Sequence, residues 1–99
     1  MILGKVIGTV WSTRKDENLV GAKFLIVRHL DLEYRPKDAT VIAVDSVGAG
    51  VGEIVLVAQG SSARQTTFTK NKPVDAVIMA IVDKLDISVK EKLKETVEV

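Results

Sequence analysis

The sequence predicts a mainly β fold, a small five-stranded β-barrel of the OB-like type with a short C-terminal helix or tail. Five segments are rich in β-branched residues, and each is closed by glycine, proline or a polar cluster, as strands and their turns are. The chain has 99 residues, enough for one domain with a modest core. We assign residues 1–83 to the barrel domain and residues 84–99 to the tail.

The five predicted strands are justified by their own patterns and by the loops between them. Gly8, inside the first strand, predicts a bulge or sharp bend, and the polar loop after that strand favours antiparallel pairing with the second. Pro36 is expected to turn the chain before the third strand, and Ser61–Arg64 to form one helical turn after the fourth. The predicted strands are Lys5–Trp11, Ala22–Leu30, Ala39–Asp45, Glu53–Gln59 and Asp75–Asp83.

The tail, residues 84–99, changes to a helical period. Ser88 and Glu91 have the spacing of a capping box, and we expect a short amphipathic helix. An edge strand through Ile87 and Val89 is the alternative. The apolar residues at helical spacing are Val89, Leu93 and Val97.

Composition and charge exclude several classes of protein. The 14 basic and 13 acidic residues leave a net charge of +1, so no global field attracts nucleic acid or an anionic membrane. Cysteine is absent and His29 is the single histidine, which argues against a disulfide framework, a metal site or a bound cofactor. The N-terminus has no apolar run of about 7–15 residues behind a basic start, as a signal peptide would, and the longest apolar run, Ala76–Val82, is too short to span a membrane. We expect an intracellular protein, and its hydrophobic fraction of 46% favours burial between subunits.

The loop between the third and fourth predicted strands, residues 46–52, is named the glycine loop here. It holds Gly48, Gly50 and Gly52 in G-x-G-x-G order. A dinucleotide fingerprint needs its glycines to lead into a helix whose N-terminus holds the phosphate, but these lead into a strand. A P-loop needs a lysine after its last glycine, and none lies between residues 45 and 59. We interpret the glycine loop as a tight turn that permits positive φ and close backbone packing.

The Ser-Ser-Ala-Arg cluster, residues 61–64, could in principle supply a nucleophile. Ser61 or Ser62 would need a base, and His29 lies inside an apolar strand pattern. We therefore expect His29 to be structural and the serines to cap a helical turn, with Arg64 directed at a carboxylate or at backbone carbonyls.

Two acids at the stems of the glycine loop, Asp45 and Glu53, are the carboxylates to inspect. We expect them to make hydrogen bonds within the stem or an ion pair with Arg64. Nothing in the sequence marks them as a catalytic pair.

An OB-like barrel also allows a second function, binding of single-stranded nucleic acid through aromatic platforms in a basic groove. The chain has few aromatic residues, and the third predicted strand, Ala39–Asp45, has none. The stretch RHLDLEYRPK alternates base and acid. Nucleic-acid binding is kept as the alternative function.

Several linked motifs resemble the EutN/CcmL family of bacterial microcompartment vertex proteins. They are VIAVDSVGAGVGEIVLVAQGSSAR (residues 41–64), PVDAVIMAIVD (73–83), GKVIGTVWSTRK (4–15) and LVGAKFLIVRHLD (19–31). The resemblance implies an OB-like barrel that assembles into a cyclic homopentamer, caps the five-fold vertices of a polyhedral shell and meets hexameric or pseudohexameric shell proteins. It implies a place in the shell of a carboxysome or metabolosome in the bacterial cytoplasm. It implies no enzymatic activity. No residue identifies the enclosed enzymes.

The small side chains and the family likeness together predict which residues lie near a subunit interface or the central axis. These candidates are Gly48, Ala49, Gly50, Gly52, Glu53, Ser61, Ser62 and Arg64.

Overall fold

The computed structural model describes residues 1–12, 15–65, 69–70, 74–88 and 91. Its strands form a barrel that is closed in the order β1-β2-β3-β5-β4, so the predicted five-stranded, OB-like architecture is confirmed. A 3-10 helix at Glu17–Leu19 precedes β2, and a second at Gly60–Arg64 follows β4. The strands are β1 (Ile2–Val10), β2 (Phe24–Leu30), β3 (Pro36–Asp45), β4 (Ile54–Gln59) and β5 (Ala76–Ile81).

The first strand bends where the sequence predicts it. β1 pairs antiparallel with β2, and the register shifts between Val6 and Gly8, which leaves Ile7 without a partner in the ladder. Before the bend β1 also pairs with β4, from Ile2 to Lys5. The bulge bends β1 beyond the part that pairs with both neighbours, and such bends are typical of strands in closed barrels.

The third strand begins earlier than predicted. β3 starts at Pro36, which pairs with Leu30 of β2, because a proline at the first position of a strand donates no hydrogen bond that the ladder needs. The turn itself lies before the proline. Asp31 Oδ1 accepts the backbone N–H groups of Glu33 at 2.8 Å and Arg35 at 3.0 Å.

The barrel closes through a short parallel contact. β3 meets β5 only through Val44 with Val77 and Asp45 with Ile78, whereas β5 pairs antiparallel with β4 along most of its length. The chain then passes from β3 to β4 through the glycine loop, across one end of the barrel. The loop is thus positioned by the closure itself.

The core consists of inward-facing residues from all five strands. Alternate positions along each strand point into the barrel, and each Val, Leu or Ile side chain buried there contributes about 1.5–3 kcal/mol of transfer free energy. Ala49 of the glycine loop also belongs to this core. The strand residues of the core cluster are Val6, Leu25, Val27, Ala43, Val55, Val57, Ala76 and Ile78.

Most of the predicted C-terminal helix, at Val89 and beyond, lies outside the described residues. Within them, Glu91 donates its backbone N–H to the Ser88 carbonyl oxygen at 3.1 Å. Residues 84–88 form neither helix nor strand.

Candidate subunit interface

The first stem of the glycine loop is organised by one carboxylate. Oδ1 of Asp45 accepts the backbone N–H groups of Val47 at 3.1 Å, Gly48 at 3.1 Å and Ala49 at 3.2 Å. Aspartate is suited to this role because its short side chain can accept hydrogen bonds from backbone N–H groups that follow it by a few residues. The loop is thus held from within, as expected for a stem hydrogen bond.

The second stem repeats this device. Oε1 of Glu53 accepts the N–H of Gly50 at 2.7 Å, and the N–H of Glu53 donates to the Gly50 carbonyl oxygen at 3.2 Å. Gly52 donates to the Val6 carbonyl oxygen at 2.8 Å. Gly48 and Gly52 have φ values of 80° and 94°, a region that favours glycine over residues with a side chain.

These hydrogen bonds exclude a phosphate cradle at the glycine loop. A cradle needs converging N–H groups that are free to bind an anion. Here the amides of residues 47–50 already donate to two carboxylates of the chain. The negative charges of Asp45 and Glu53 would also repel a phosphate.

The side chains of the glycine loop divide between the core and the surface. Ala49 is buried in the chain's own barrel, and its carbonyl oxygen accepts a hydrogen bond from Lys23 Nζ at 3.2 Å. Val47 and Val51 are 40% and 65% exposed. The predicted candidate Ala49 therefore does not expose its side chain, whereas Val47 and Val51, which were not among the predicted candidates, do.

The Ser-Ser-Ala-Arg cluster lies in the 3-10 helix Gly60–Arg64, which confirms the predicted helical turn. Its Ala63 is buried against Ala58 and Val77 on the outside of the barrel, and Ser61 is exposed. Arg64 donates through Nη1 to the Val74 carbonyl oxygen at 3.2 Å. Of the two roles expected for Arg64, the structure shows the contact with a carbonyl. The side chain of Ser62 lies outside what the structure describes.

The structure does not gather the predicted interface residues into one site. The glycine loop leads into β4 and the 3-10 helix Gly60–Arg64 follows it. The two clusters are therefore at opposite ends of a strand of six residues, about 17–20 Å apart along its axis. Within one chain they form two separate surfaces.

Sequence reasoning missed an apolar surface on the outside of the barrel. In register across the sheet, Gly8 lies opposite Ile26, and Ile26 lies opposite Ile42. Ile42 is 56% exposed and the bulged Ile7 is 45% exposed. We name Ile7, Ile26 and Ile42 the β2 face.

A second apolar surface lies on another side of the barrel. Leu3, Leu56 and Ala80 are in register across β1, β4 and β5 and are half-buried. The register shift between β4 and β5 leaves Met79 without a partner, and its side chain is 38% exposed. We name these four residues the β4 face. The available signal for both faces was strand alternation, which turns these residues away from the core.

His29 lies at the end of β2, opposite Gly4. Its Nε2 atom is buried and, among the described atoms, has no hydrogen-bond partner. No group of three acidic or histidine residues in the described parts of the chain could hold a metal ion. None of the helices in those parts is long and apolar enough to cross a membrane.

The fold and these surfaces define a class of protein, an OB-like β-barrel with internally satisfied loops and apolar outer faces. Residues 1–83 match the family described as ethanolamine utilisation protein EutN/carboxysome, and the chain belongs to this family. Relatives of this chain are named as bacterial microcompartment shell vertex proteins, and these names do not favour the nucleic-acid-binding alternative.

Two curated relatives span almost the same length as this chain. The shell vertex protein GrpN of Rhodospirillum rubrum is 51% identical over 86 residues, which cover 87% of this chain and 97% of the relative. The shell vertex protein PduN of Salmonella typhimurium is 45% identical over 89 residues, which cover 86% of this chain and 98% of the relative.

Solved structures agree with this assignment. The structure described as the GrpN pentameric microcompartment shell protein superposes with a TM-score of 0.81 at 49% identity, covering 89% of this chain and 100% of that one. CcmL of Gloeobacter violaceus superposes with a TM-score of 0.84 at 41% identity, covering 89% of this chain and 91% of that one.

Proposed function

We propose that five copies of this chain close into a cyclic ring that caps the five-fold vertices of a bacterial microcompartment shell. The observation that carries the proposal is the likeness to GrpN, described as a pentameric shell protein, over 89% of this chain and all of that one. Such likeness over most of this chain supports a shared mode of assembly as well as a shared fold.

The proposed role follows from the geometry of closed shells. Six-fold tiles alone form flat sheets, and a sheet closes into a polyhedron where five-fold units replace them. A heterologous contact repeated by a rotation of one fifth of a turn closes into such a ring. We therefore propose hexameric or pseudohexameric shell proteins as the partners at the outer rim, inside the bacterial cytoplasm.

In this proposal the predicted candidates contribute backbone and surface contacts between subunits, and none of them acts as a catalytic group. Gly48, Gly50 and Gly52 let a neighbouring backbone approach the glycine loop closely, and Ala49 takes part only through its backbone. Glu53 shapes the loop. At the other end of β4, Ser61, Ser62 and Arg64 lie on a second surface beside a neighbour or the axis.

We propose that the protein is structural and catalyses no reaction. The amides that could hold an anion at the glycine loop donate to the carboxylates of Asp45 and Glu53. The histidine that would serve as a base, His29, lies opposite Gly4 of β1, and among the described atoms its buried Nε2 makes no hydrogen bond to a serine. Both observations support a scaffold role.

Native mass spectrometry at micromolar concentration tests the proposal. Five chains of 10.7 kDa give a complex of about 54 kDa, and we expect this species to dominate. A stable monomer, or a ring of another number, would contradict the proposed vertex role. Retention of single-stranded DNA in a low-salt gel shift would instead favour the alternative function.

A further inference from the structure

An open cavity lies at the end of the barrel where β1 finishes and β2 begins. Val10 and Phe24, the last pair of the β1–β2 ladder, both line it. Lys23 also lines it, and its Nζ donates to the Ala49 carbonyl oxygen of the glycine loop at 3.2 Å. The volume is about 650 Å³, and small-molecule sites typically occupy about 300–1,000 Å³, often in the mouths of barrels. The cavity therefore has the size and the position of a ligand site.

The apolar wall of the cavity is fixed by the packing behind it. Ala22 is buried in a cluster with Val44 and Val74, and Phe24 packs against this cluster. The ring of Phe24 is therefore held in position before any ligand enters. A preformed wall lowers the entropic cost of binding, because few groups have to be ordered when the ligand arrives.

The single tryptophan of the chain lines the cavity from the position directly after β1. Trp11 is 89% exposed, although aromatic side chains of this size are usually largely buried. Its indole ring thus presents a flat apolar surface that the single chain leaves in water. Aromatic rings favour offset-stacked or edge-to-face contacts with other rings, so a flat ligand would cover the exposed indole.

The charged residues among the described lining of the cavity are both lysines, Lys15 and Lys23. Lys15 Nζ lies 5.3 Å from the centroid of the Phe24 ring and donates to the Ala22 carbonyl oxygen at 3.0 Å. Its ammonium group is therefore held against the apolar wall. Because an ammonium group has three N–H donors, this one bond to a carbonyl leaves it able to bind an anion.

The acids nearest to these lysines in sequence or in register are engaged elsewhere or face water. Asp16 accepts the backbone N–H of Asn18 at 2.8 Å, and Asp45 accepts the amides of the glycine loop. Glu17 is exposed. Within the described parts of the chain neither lysine forms an ion pair, so both are available to an anionic group.

From these observations we infer that the cavity binds a small organic anion with a flat apolar body, of the class of aromatic phosphates and carboxylates. The flat body lies against Trp11 and Phe24, and the anionic group meets the ammonium of Lys15. The site lies within one chain and goes beyond the proposed shell role. It is a site of binding only, in which no bond is made or broken.

The fluorescence of Trp11 measures this binding directly, because the chain has no other tryptophan. Three probes are titrated into the wild-type protein: phenyl phosphate, inorganic phosphate, which has no ring, and benzyl alcohol, which has no charge. We expect a saturable change with phenyl phosphate and half-saturating concentrations at least about tenfold higher for the other two, since each lacks one of the two contacts. A response to phenyl phosphate that does not saturate, or equal midpoints for the three probes, would overturn the inference.

Lys15→Met tests the proposed anion contact, because methionine keeps much of the aliphatic stem and removes the charge. We expect the half-saturating concentration of phenyl phosphate to rise about tenfold and that of benzyl alcohol to stay unchanged. Lys37→Met is the matched control. Lys37 is exposed and lies at the start of β3, beside the end of β2 that is remote from Phe24, so its substitution should leave both titrations unchanged.

Circular dichroism and native mass spectrometry of the same samples report the fold and the ring separately from the ligand. If Lys15→Met unfolds, Lys15→Gln replaces it with the same expectation. Equal affinity for phenyl phosphate in the wild type and in the folded Lys15 variant, or an equal loss in Lys37→Met, would contradict the proposed site. A wild-type chain that forms no ring contradicts the proposed function instead, and the titration still decides whether the cavity binds the anion.

Discussion

The carboxylate of Asp45 should stabilise the folded chain by an amount that its contacts allow us to estimate. In Asp45→Ala the N–H groups of Val47, Gly48 and Ala49 lose their common acceptor. Water can replace it at Val47 and Gly48, which are exposed, but not at Ala49, which is buried. An unsatisfied buried N–H costs about 1–3 kcal/mol, and each exposed bond about 0.5–1.5 kcal/mol before water compensates. We expect unfolding to require about 2–3 kcal/mol less than in the wild type.

Urea unfolding followed by far-ultraviolet circular dichroism measures this difference. Because assembly adds a concentration-dependent contribution to the apparent stability, wild type and variants should be compared at equal protein concentration and again after tenfold dilution. Asp45→Asn is the matched variant. Its amide oxygen can still accept the same N–H groups, but a neutral acceptor makes weaker bonds, so we expect a loss of about 1 kcal/mol.

Two outcomes would refute this reasoning. A free energy of unfolding for Asp45→Ala within about 0.5 kcal/mol of the wild type at both concentrations would mean that the loop does not depend on its internal acceptor. Equal losses for Asp45→Asn and Asp45→Ala would mean that the negative charge matters and the acceptor geometry does not.

Two further substitutions test local features of the barrel. In Gly4→Ala the added methyl group would overlap Cγ1 of Val27 and lie 2.9 Å from the Arg28 carbonyl oxygen, so overpacking should lower stability by about 1–3 kcal/mol; an unchanged melting temperature would contradict this. Hydrogen bonding, first of all from the backbone N–H of Arg35, lowers the pKa of Asp31. Its stabilising effect is thus present above the unfolded-state pKa of about 3.9 and is lost as the pH falls through the lower folded-state pKa. Asp31→Asn should therefore lower the melting temperature at pH 7 and have less effect at strongly acidic pH, whereas an equal effect at both would show that ionisation is irrelevant.

Local patterns were sufficient to predict the strands and the stems of the glycine loop. The bulge at Gly8 and the helical turn ending at Arg64 depend on residues close in sequence, and both are confirmed. The hydrogen bonds of Asp45 and Glu53 also span no more than four residues. The start of β3 was predicted too late because proline occurs in turns and also at the first position of a strand, and residue type alone does not distinguish the two.

The position of Arg64 shows where local reasoning ends. The sequence allowed an ion pair with Asp45 or Glu53 as well as a contact with carbonyls. In the barrel Arg64 reaches the Val74 carbonyl oxygen, because the 3-10 helix packs on β4 and β5 through Ala63. That packing depends on strand order, which no short stretch of sequence contains.

The sequence by itself determined the five strands, the internally bonded glycine loop and the family, since each depends on residue types and spacings along the chain. Only the tertiary structure decided which outward-facing residues become neighbours. Alternation shows that Ile26 and Ile42 point away from the core, but their contact requires the pairing register of β2 with β3, and their proximity to Ile7 requires the bulge in β1. Register arises from the closure of the whole barrel. For that reason the two apolar faces could be recognised only in the folded chain.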